Sequence, residues 1–202
     1  MALVNILIVL AFCLLVAVEA GLKEDYLNEH NRLRKLHGTP PLVLDAALSK
    51  GCEEYAQELA KTESMVHSDG GGKYGENLCM RSHNALKCVQ DWYDEIKSYD
   101  FNNPGFSMDT GHFTAVVWKG AKKLGIGQAR DKNGHFWVVG RYTPPTNVNG
   151  LFKEHVPKPI KDGGGDGGHG HGSGKDDDED SSSMVRANTI LLLIALCLHF
   201  TN

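Results

Sequence analysis

The chain lacks the signatures of several common chemistries. It contains no His-Glu-x-x-His and no Gly-x-Ser-x-Gly, so neither a helix-borne zinc hydrolase nor a nucleophile elbow is written in it. It lacks a basic excess: residues 21–161 hold 19 Lys and Arg against 17 Asp and Glu. A near-neutral domain offers no footprint for a phosphate backbone, so nucleic acid is not an expected partner. Neither long apolar run, Ile6 to Val18 or Ile190 to Phe200, reaches the ~20 residues that span a bilayer.

Those two short runs decide where the middle of the chain works. Val18-Glu19-Ala20 precedes Gly21 as a small-x-small-like cleavage site, so residues 1–20 read as a secretory signal. No Lys or Arg precedes the run, which leaves the positive charge to the amino terminus. At the other end, Ser181 to Ser183, a spacer from Met184 to Thr189 and the apolar tail fit a glycosylphosphatidylinositol signal over residues 184–202, with Asp180 or an upstream residue as an alternative attachment point. The expected mature protein is secreted and held on the outer leaflet of the plasma membrane by lipid.

Trimming both ends removes Cys13 and Cys197 and leaves Cys52, Cys79 and Cys88. An odd count outside the cell means one free thiol or an intermolecular bridge. Cys79 and Cys88 are the natural pair, and closing their loop contributes roughly 2–3 kcal/mol in the chain-entropy model. Cys52 falls on an apolar helix face and is expected as a buried thiol.

Residues 161–183 form a different composition class. Gly163 to Gly174 is glycine-rich with His169 and His171, and Asp176 to Asp180 follows. With no apolar group to offset the entropy of ordering, this segment reads as a disordered stalk.

The middle, residues 21–160, has helical spacing first and strand alternation later. Tyr26, His30 and Leu33 mark a helix over about 22–36, stopped by Gly38, Pro40 and Pro41. Asp45 is a good N-cap for a second helix with Leu48, Cys52, Tyr55 and Leu59 on one face. A third is expected over about 84–98, with Leu86, Val89, Tyr93 and Ile96 inward. Leu124 and Ile126 then alternate with glycines, Phe136 to Arg141 alternate in turn, and Asp131-Lys132-Asn133-Gly134 between them is a hairpin turn. Helices followed by an antiparallel hairpin argue for an α+β layered domain.

Five segments carry a resemblance. Gly111-His112-Phe113-Thr114-Ala115-Val116-Val117-Trp118 and Phe136-Trp137-Val138-Val139-Gly140-Arg141-Tyr142-Thr143-Pro144 resemble the two signatures of the cysteine-rich secretory, antigen 5 and pathogenesis-related (CAP) superfamily. Gly75-Glu76-Asn77-Leu78, Trp92-Tyr93-Asp94-Glu95-Ile96 and His30-Asn31-x-x-Arg34 match its remaining motifs in order. Gly140 stands where the second signature usually has cysteine, which brings the chain nearest to the Golgi-associated plant pathogenesis-related subgroup. That subgroup is typically myristoylated; Met1-Ala2 lacks the required glycine.

The resemblance implies a three-layer αβα sandwich around a central antiparallel sheet, with a cleft formed by His67, Glu76, Glu95 and His112. Two imidazoles facing two carboxylates suit a divalent cation, zinc or magnesium, although the resemblance requires no cofactor. No nucleophile stands beside the four, so a non-enzymatic cluster is the leading expectation and a metal-dependent hydrolase using the tetrad is its rival. Tyr99, Phe101 and Phe106 resemble the aromatic loop through which fungal members hold sterols, which implies a sterol or other small lipid as partner. Pro104 and Gly105 keep that loop from being helical.

Overall fold

The computed structural model describes residues 2–160; the stalk 161–183 and the tail 184–202 lie outside the described residues. The chain divides after Leu22, and Lys23–Lys161 forms one compact unit. Its buried hydrophobic residues run from Tyr26 to Val156, so this unit carries its own core.

Helix α1 spans Ala2–Lys35, so the helix expected from residue 22 is the second half of a longer one. No proline interrupts the chain between the apolar run and the domain. By length and composition α1 is apolar enough to cross a membrane, since one 18-residue window of it has a mean hydropathy of 2.5. A secretory signal has the same property.

Within the unit, α1 is locked in place by a buried cation. Arg34 is fully buried, and its five N–H groups donate to the carbonyls of Pro40, Val116, Trp118 and Ala121 at 2.8–3.1 Å. Burial pulls this guanidinium down to about 10, because no carboxylate compensates for the lost water. Asn31 clamps the turn that follows, exchanging hydrogen bonds with the Leu42 main chain.

Strand β1 (Val43–Leu44) is short because Pro40 and Pro41 precede it and the Asp45 cap follows. Helix α2 (Ala46–Thr62) starts where Asp45 accepts the Leu48 N–H at 2.9 Å. Strands β2 (Gly75–Arg81), β3 (Lys123–Arg130) and β4 (Phe136–Thr143) complete a four-stranded sheet in the order β1-β3-β4-β2. The sheet is mixed rather than wholly antiparallel, since β1 pairs with β3 in parallel. Two residues between a proline pair and a helix cap are too few to display any period.

Helix α2 covers one face, where Cys52, Ala56, Leu59 and Ala60 meet Leu78, Trp137 and Val139. The contact is backbone-close: a Cβ at Gly127 would sit 2.2 Å from the Glu53 nitrogen. This is why glycine alternates with Leu124 and Ile126. On the other face lie the part of α1 from Lys23 onward, helix α3 (Lys87–Asp94) and helix α4 (Gly111–Val116), which completes the three layers. Helix α3 is shorter than expected because Asn84 adopts a left-handed φ of 49° and Glu95–Ser98 tightens into a 3-10 turn. Its inward face is Ala85, Cys88, Val89 and Trp92; Leu86, Tyr93 and Ile96 are only half-buried. The final turn, α5, is Phe152–His155.

Strand β2 is the sheet edge beside the motifs, and α3 covers it. Trp92 Nε1 donates to the Leu78 carbonyl at 2.9 Å, and a disulfide joins Cys79 to Cys88. An edge capped in this way is protected against pairing with another chain. Cys52 is buried, and burial pushes its thiol up to about 12.

Candidate functional site

The four candidate residues form two His–Glu pairs. In the first, His67 Nδ1 lies 2.9 Å from Glu76 Oε1; the His67 side chain is 59% exposed while Glu76 is only 6% exposed. A buried carboxylate needs donors, and Glu76 has four. Its Oε1 also accepts the Ser68 N–H, and its Oε2 accepts the Ser68 hydroxyl at 2.6 Å and Arg141 Nε at 3.0 Å. Burial alone would raise this carboxyl, but the bonds from His67, Ser68 and Arg141 outweigh it and hold the group below its ordinary range. Arg141 is held in turn between the rings of Tyr74 and Tyr55, at 4.4 and 5.3 Å.

In the second pair, His112 Nδ1 lies 2.6 Å from Glu95 Oε1. Glu95 Oε2 accepts the main-chain N–H groups of His112 at 2.9 Å and Phe113 at 3.1 Å. These are donors at the start of α4 with no partner inside the helix. Thr110, in the capping position, makes no side-chain bond to them. Glu95 therefore caps α4 from a distant segment and aims the His112 ring with the same carboxylate. Trp92 lies along the opposite side of that ring, 6.4 Å between centroids and near-parallel.

Strand β2 ties the pairs together. Glu76 holds His67, and the next residue, Asn77, donates from Nδ2 to the His112 carbonyl at 3.1 Å. Asn77 also donates to the Tyr142 hydroxyl at 3.2 Å, which lies 3.0 Å from His30 Nε2. His30 Nδ1 faces the Tyr26 carbonyl and so carries the proton. Its Nε2 is then the acceptor, and Tyr142 donates to it. Burial pulls His30 down to about 4, in keeping with a neutral ring.

The carboxylates occupy Nδ1 of both candidate imidazoles, and neither Nε2 makes a hydrogen bond among the described residues. A carboxylate behind Nδ1 with a bare Nε2 in front is the arrangement in which histidine ligates zinc. Each imidazole taken singly thus has the form of a cation ligand, with Glu76 or Glu95 as its orienting partner. A cage of four direct ligands is not formed. Among the described residues, the one group of three donors with ligand atoms within 4.8 Å of one another is Cys79, Cys88 and Asp91, and its sulfurs are consumed in the disulfide.

The aromatic loop divides. Tyr99 and Phe101 turn inward: their rings meet edge-to-face at 4.9 Å, and both pack on buried Phe113, at 5.4 and 6.1 Å. Phe106 turns outward and lies over Gly111, where a Cβ would approach its ring to 3.1 Å. A cavity of about 270 Å³ opens between, lined by Tyr99, Pro104, Gly105, Phe106 and Thr110 among others. The Thr110 hydroxyl oxygen is buried without a hydrogen-bond partner among the described residues, and the Tyr99 hydroxyl is buried next to the Gly105 main chain. Burial pushes the Tyr99 phenol up, and the nearby Gly105 main chain offsets part of that.

Ser68, Asn77, Thr110 and Arg141 join the candidate site, although the motifs gave none of them a role. Three lie one residue from, or inside, a recognised motif. Thr110 became visible only through its unpaired hydroxyl.

A sandwich that backs one loop histidine with an edge-strand carboxylate, and one histidine of the short α4 with a second carboxylate, defines a class of α+β domain. This chain belongs to the cysteine-rich secretory protein (CAP) family, whose model matches residues 27–142. It is 45% identical over 143 residues to Golgi-associated plant pathogenesis-related protein 1 of Homo sapiens, covering 68% of this chain and 93% of that one. It is 38% identical over 130 residues to the basic form of pathogenesis-related protein 1 of Nicotiana tabacum, covering 63% and 72%. Among solved structures it is similar in fold to NaASP2 with Zn2+, at a TM-score of 0.54 and 20% identity over 68% of this chain and 85% of that one.

Proposed function

We propose that this protein is a secreted, lipid-anchored binding module that holds a sterol or other small lipid at the 98–110 loop and turns over no substrate. The observation that carries the reading is a cavity on whose wall the exposed Phe106 ring stands beside Tyr99 and Thr110, two residues that carry hydroxyls. A ligand with a flat apolar body and one hydroxyl matches a wall that sets an apolar ring beside polar side chains. The cavity is smaller than the ~300–1,000 Å³ of typical ligand pockets, so it takes the polar end of such a molecule and leaves the remainder along Phe106. The apolar α1 supports export; the anchor rests on the tail, outside the described residues.

The His–Glu pairs support the non-enzymatic reading in two respects. Ser68 donates to Glu76 rather than to His67, so the acid stands between hydroxyl and imidazole, the reverse of a nucleophilic triad. Glu76, held below the ordinary carboxylate range, is also a poor general base at neutral pH. The bare Nε2 atoms favour a second reading, a divalent-cation site that could serve a hydrolase. A chelator-sensitive activity lost in Glu95→Gln would establish that reading, and the same activity in both proteins would end it. Titrating labelled cholesterol against residues 23–161 tests the binding reading. Saturable binding weakened at least tenfold by Phe106→Asp is expected; binding indifferent to that change would overturn it.

A further inference from the structure

We propose that Phe106, Met108, Val148 and Leu151 form a docking surface that seats the domain on an uncharged, phosphatidylcholine-type lipid bilayer. The inference rests on the anchored-binder reading for the nearness of a membrane, and not on which lipid occupies the cavity.

The four side chains are apolar and exposed: Met108 at 80%, Phe106 at 53%, Val148 at 41% and Leu151 at 40%. They come from two loops that are stitched into one surface. Asn147 Nδ2 donates to the Gly111 carbonyl at 2.8 Å, and its Oδ1 accepts the Thr114 hydroxyl at 2.7 Å. The Leu151 N–H closes a turn on the Val148 carbonyl at 3.1 Å. The Phe106 ring lies 6.5 Å from the buried ring of Phe152, next in sequence to Leu151. Phe106 and the Val148–Leu151 turn are therefore held together before any partner arrives, and Met108 lies two residues along the loop from Phe106. A preformed cluster of exposed apolar groups marks an interaction site, where scattered single residues would not.

Three observations select a bilayer as the occupant. The chain leaves the described unit at Ile160, and about 20 residues separate it from the serine run at the proposed attachment point. Even fully extended, at roughly 3.3–3.6 Å per residue, that length keeps the domain within about 70 Å of the membrane. The charged residues nearest the apolar four in sequence are Asp109, Lys153 and Glu154, with Asp100 and Lys158 further along the chain. They nearly cancel, so no basic collar selects anionic lipid, and neutral headgroups fit. Phe106 belongs to both the docking surface and the cavity wall, which gives a lipid a continuous apolar path from the bilayer into the site.

The test uses residues 23–161, which carry their own core, and cosedimentation with pure phosphatidylcholine vesicles lacking sterol. The expected result is partitioning that falls at least tenfold in Met108→Glu and in Met108→Glu/Leu151→Glu. It should hold between 0.1 and 0.5 M salt and should not increase when phosphatidylserine is added. Unchanged partitioning in the variants, no partitioning of the parent protein, or binding that requires phosphatidylserine would each overturn the proposal. So would loss of self-association, rather than of vesicle binding, in Met108→Glu, since the surface would then face a second copy of the chain. Met108 and Leu151 do not line the cavity, so cholesterol delivered from cyclodextrin should bind Met108→Glu as it binds the parent. A parent protein that partitions onto vesicles but binds no cholesterol would leave the docking surface standing and remove the ligand reading instead.

Discussion

Glu95 holds His112 at two points, the ring Nδ1 and the main-chain N–H, and also accepts the main-chain N–H of Phe113. One carboxylate sets both the position of α4 and the direction in which the imidazole faces. Helix α4 has six residues and no capping side chain of its own, so its geometry depends on this remote acid.

Replacing Glu95 with Gln should therefore loosen α4 as well as the ring. The amide keeps one acceptor oxygen for three donors and loses the charge. A loss of about 1–3 kcal/mol is expected from charge-assisted bonds of this kind. Urea denaturation measures the stability, and the imidazole nitrogen shifts of His112 should report mixed tautomers where the parent shows one.

Arg34 makes a stronger prediction. Arg34→Met leaves the carbonyls of Pro40, Val116, Trp118 and Ala121 short of a buried donor, and should cost about 3–5 kcal/mol. Arg34→Lys should fail to rescue it, because three donors on one nitrogen cannot reproduce a planar fork. Equal stability of the Lys variant and the parent would contradict this account of α1.

His30 gives the fold an acid limit. Its folded-state value of about 4 lies below the ordinary ~6.5, so the unfolded chain binds more proton between those two values. The stability this neutral ring contributes is complete above about pH 6.5 and is lost as pH falls through about 4. In His30→Gln the stability change between pH 7 and pH 4 should be visibly smaller than in the parent. Parallel pH profiles of the two proteins would show that His30 does not titrate in this window.

Reducing the Cys79–Cys88 bridge frees β2 from α3, the elements that carry Glu76 and lead into Glu95. A Cys79→Ser/Cys88→Ser variant should lose about 2–3 kcal/mol while keeping the α2 face of the sheet, which the bridge does not touch. Amide exchange should rise first around Leu78 and Trp92.

Much of this architecture can be read from residue order. The Asp45 cap, the apolar face of α2 and the Asp131–Gly134 turn appear where local chemistry places them, because each depends on neighbours within one or two turns. The glycines alternating with Leu124 and Ile126 are a legible pattern whose cause, the close approach of α2, is visible only in three dimensions. Strand β1 and helix α4 were not legible: two residues show no period, and six residues capped by a distant acid carry no local start signal. At the site, motifs pointed to His67, Glu76, Glu95 and His112, but not to the division of labour among them. The burial of Glu76 by Ser68 and Arg141, and the turning of Tyr99 and Phe101 into the core, depend on long-range packing that no short spacing encodes.

The central claim is that the cavity wall formed by Phe106, Tyr99 and Thr110 receives the polar end of a lipid. Amide and side-chain nuclear resonance mapping of residues 23–161 during cholesterol titration tests it most directly. The account predicts saturable shifts centred on Tyr99, Gly105, Phe106 and Thr110, and at least tenfold weaker binding of an analogue lacking the 3-hydroxyl. Shifts centred on His67 and Ser68 with the loop silent, or equal affinity for the analogue, would contradict it.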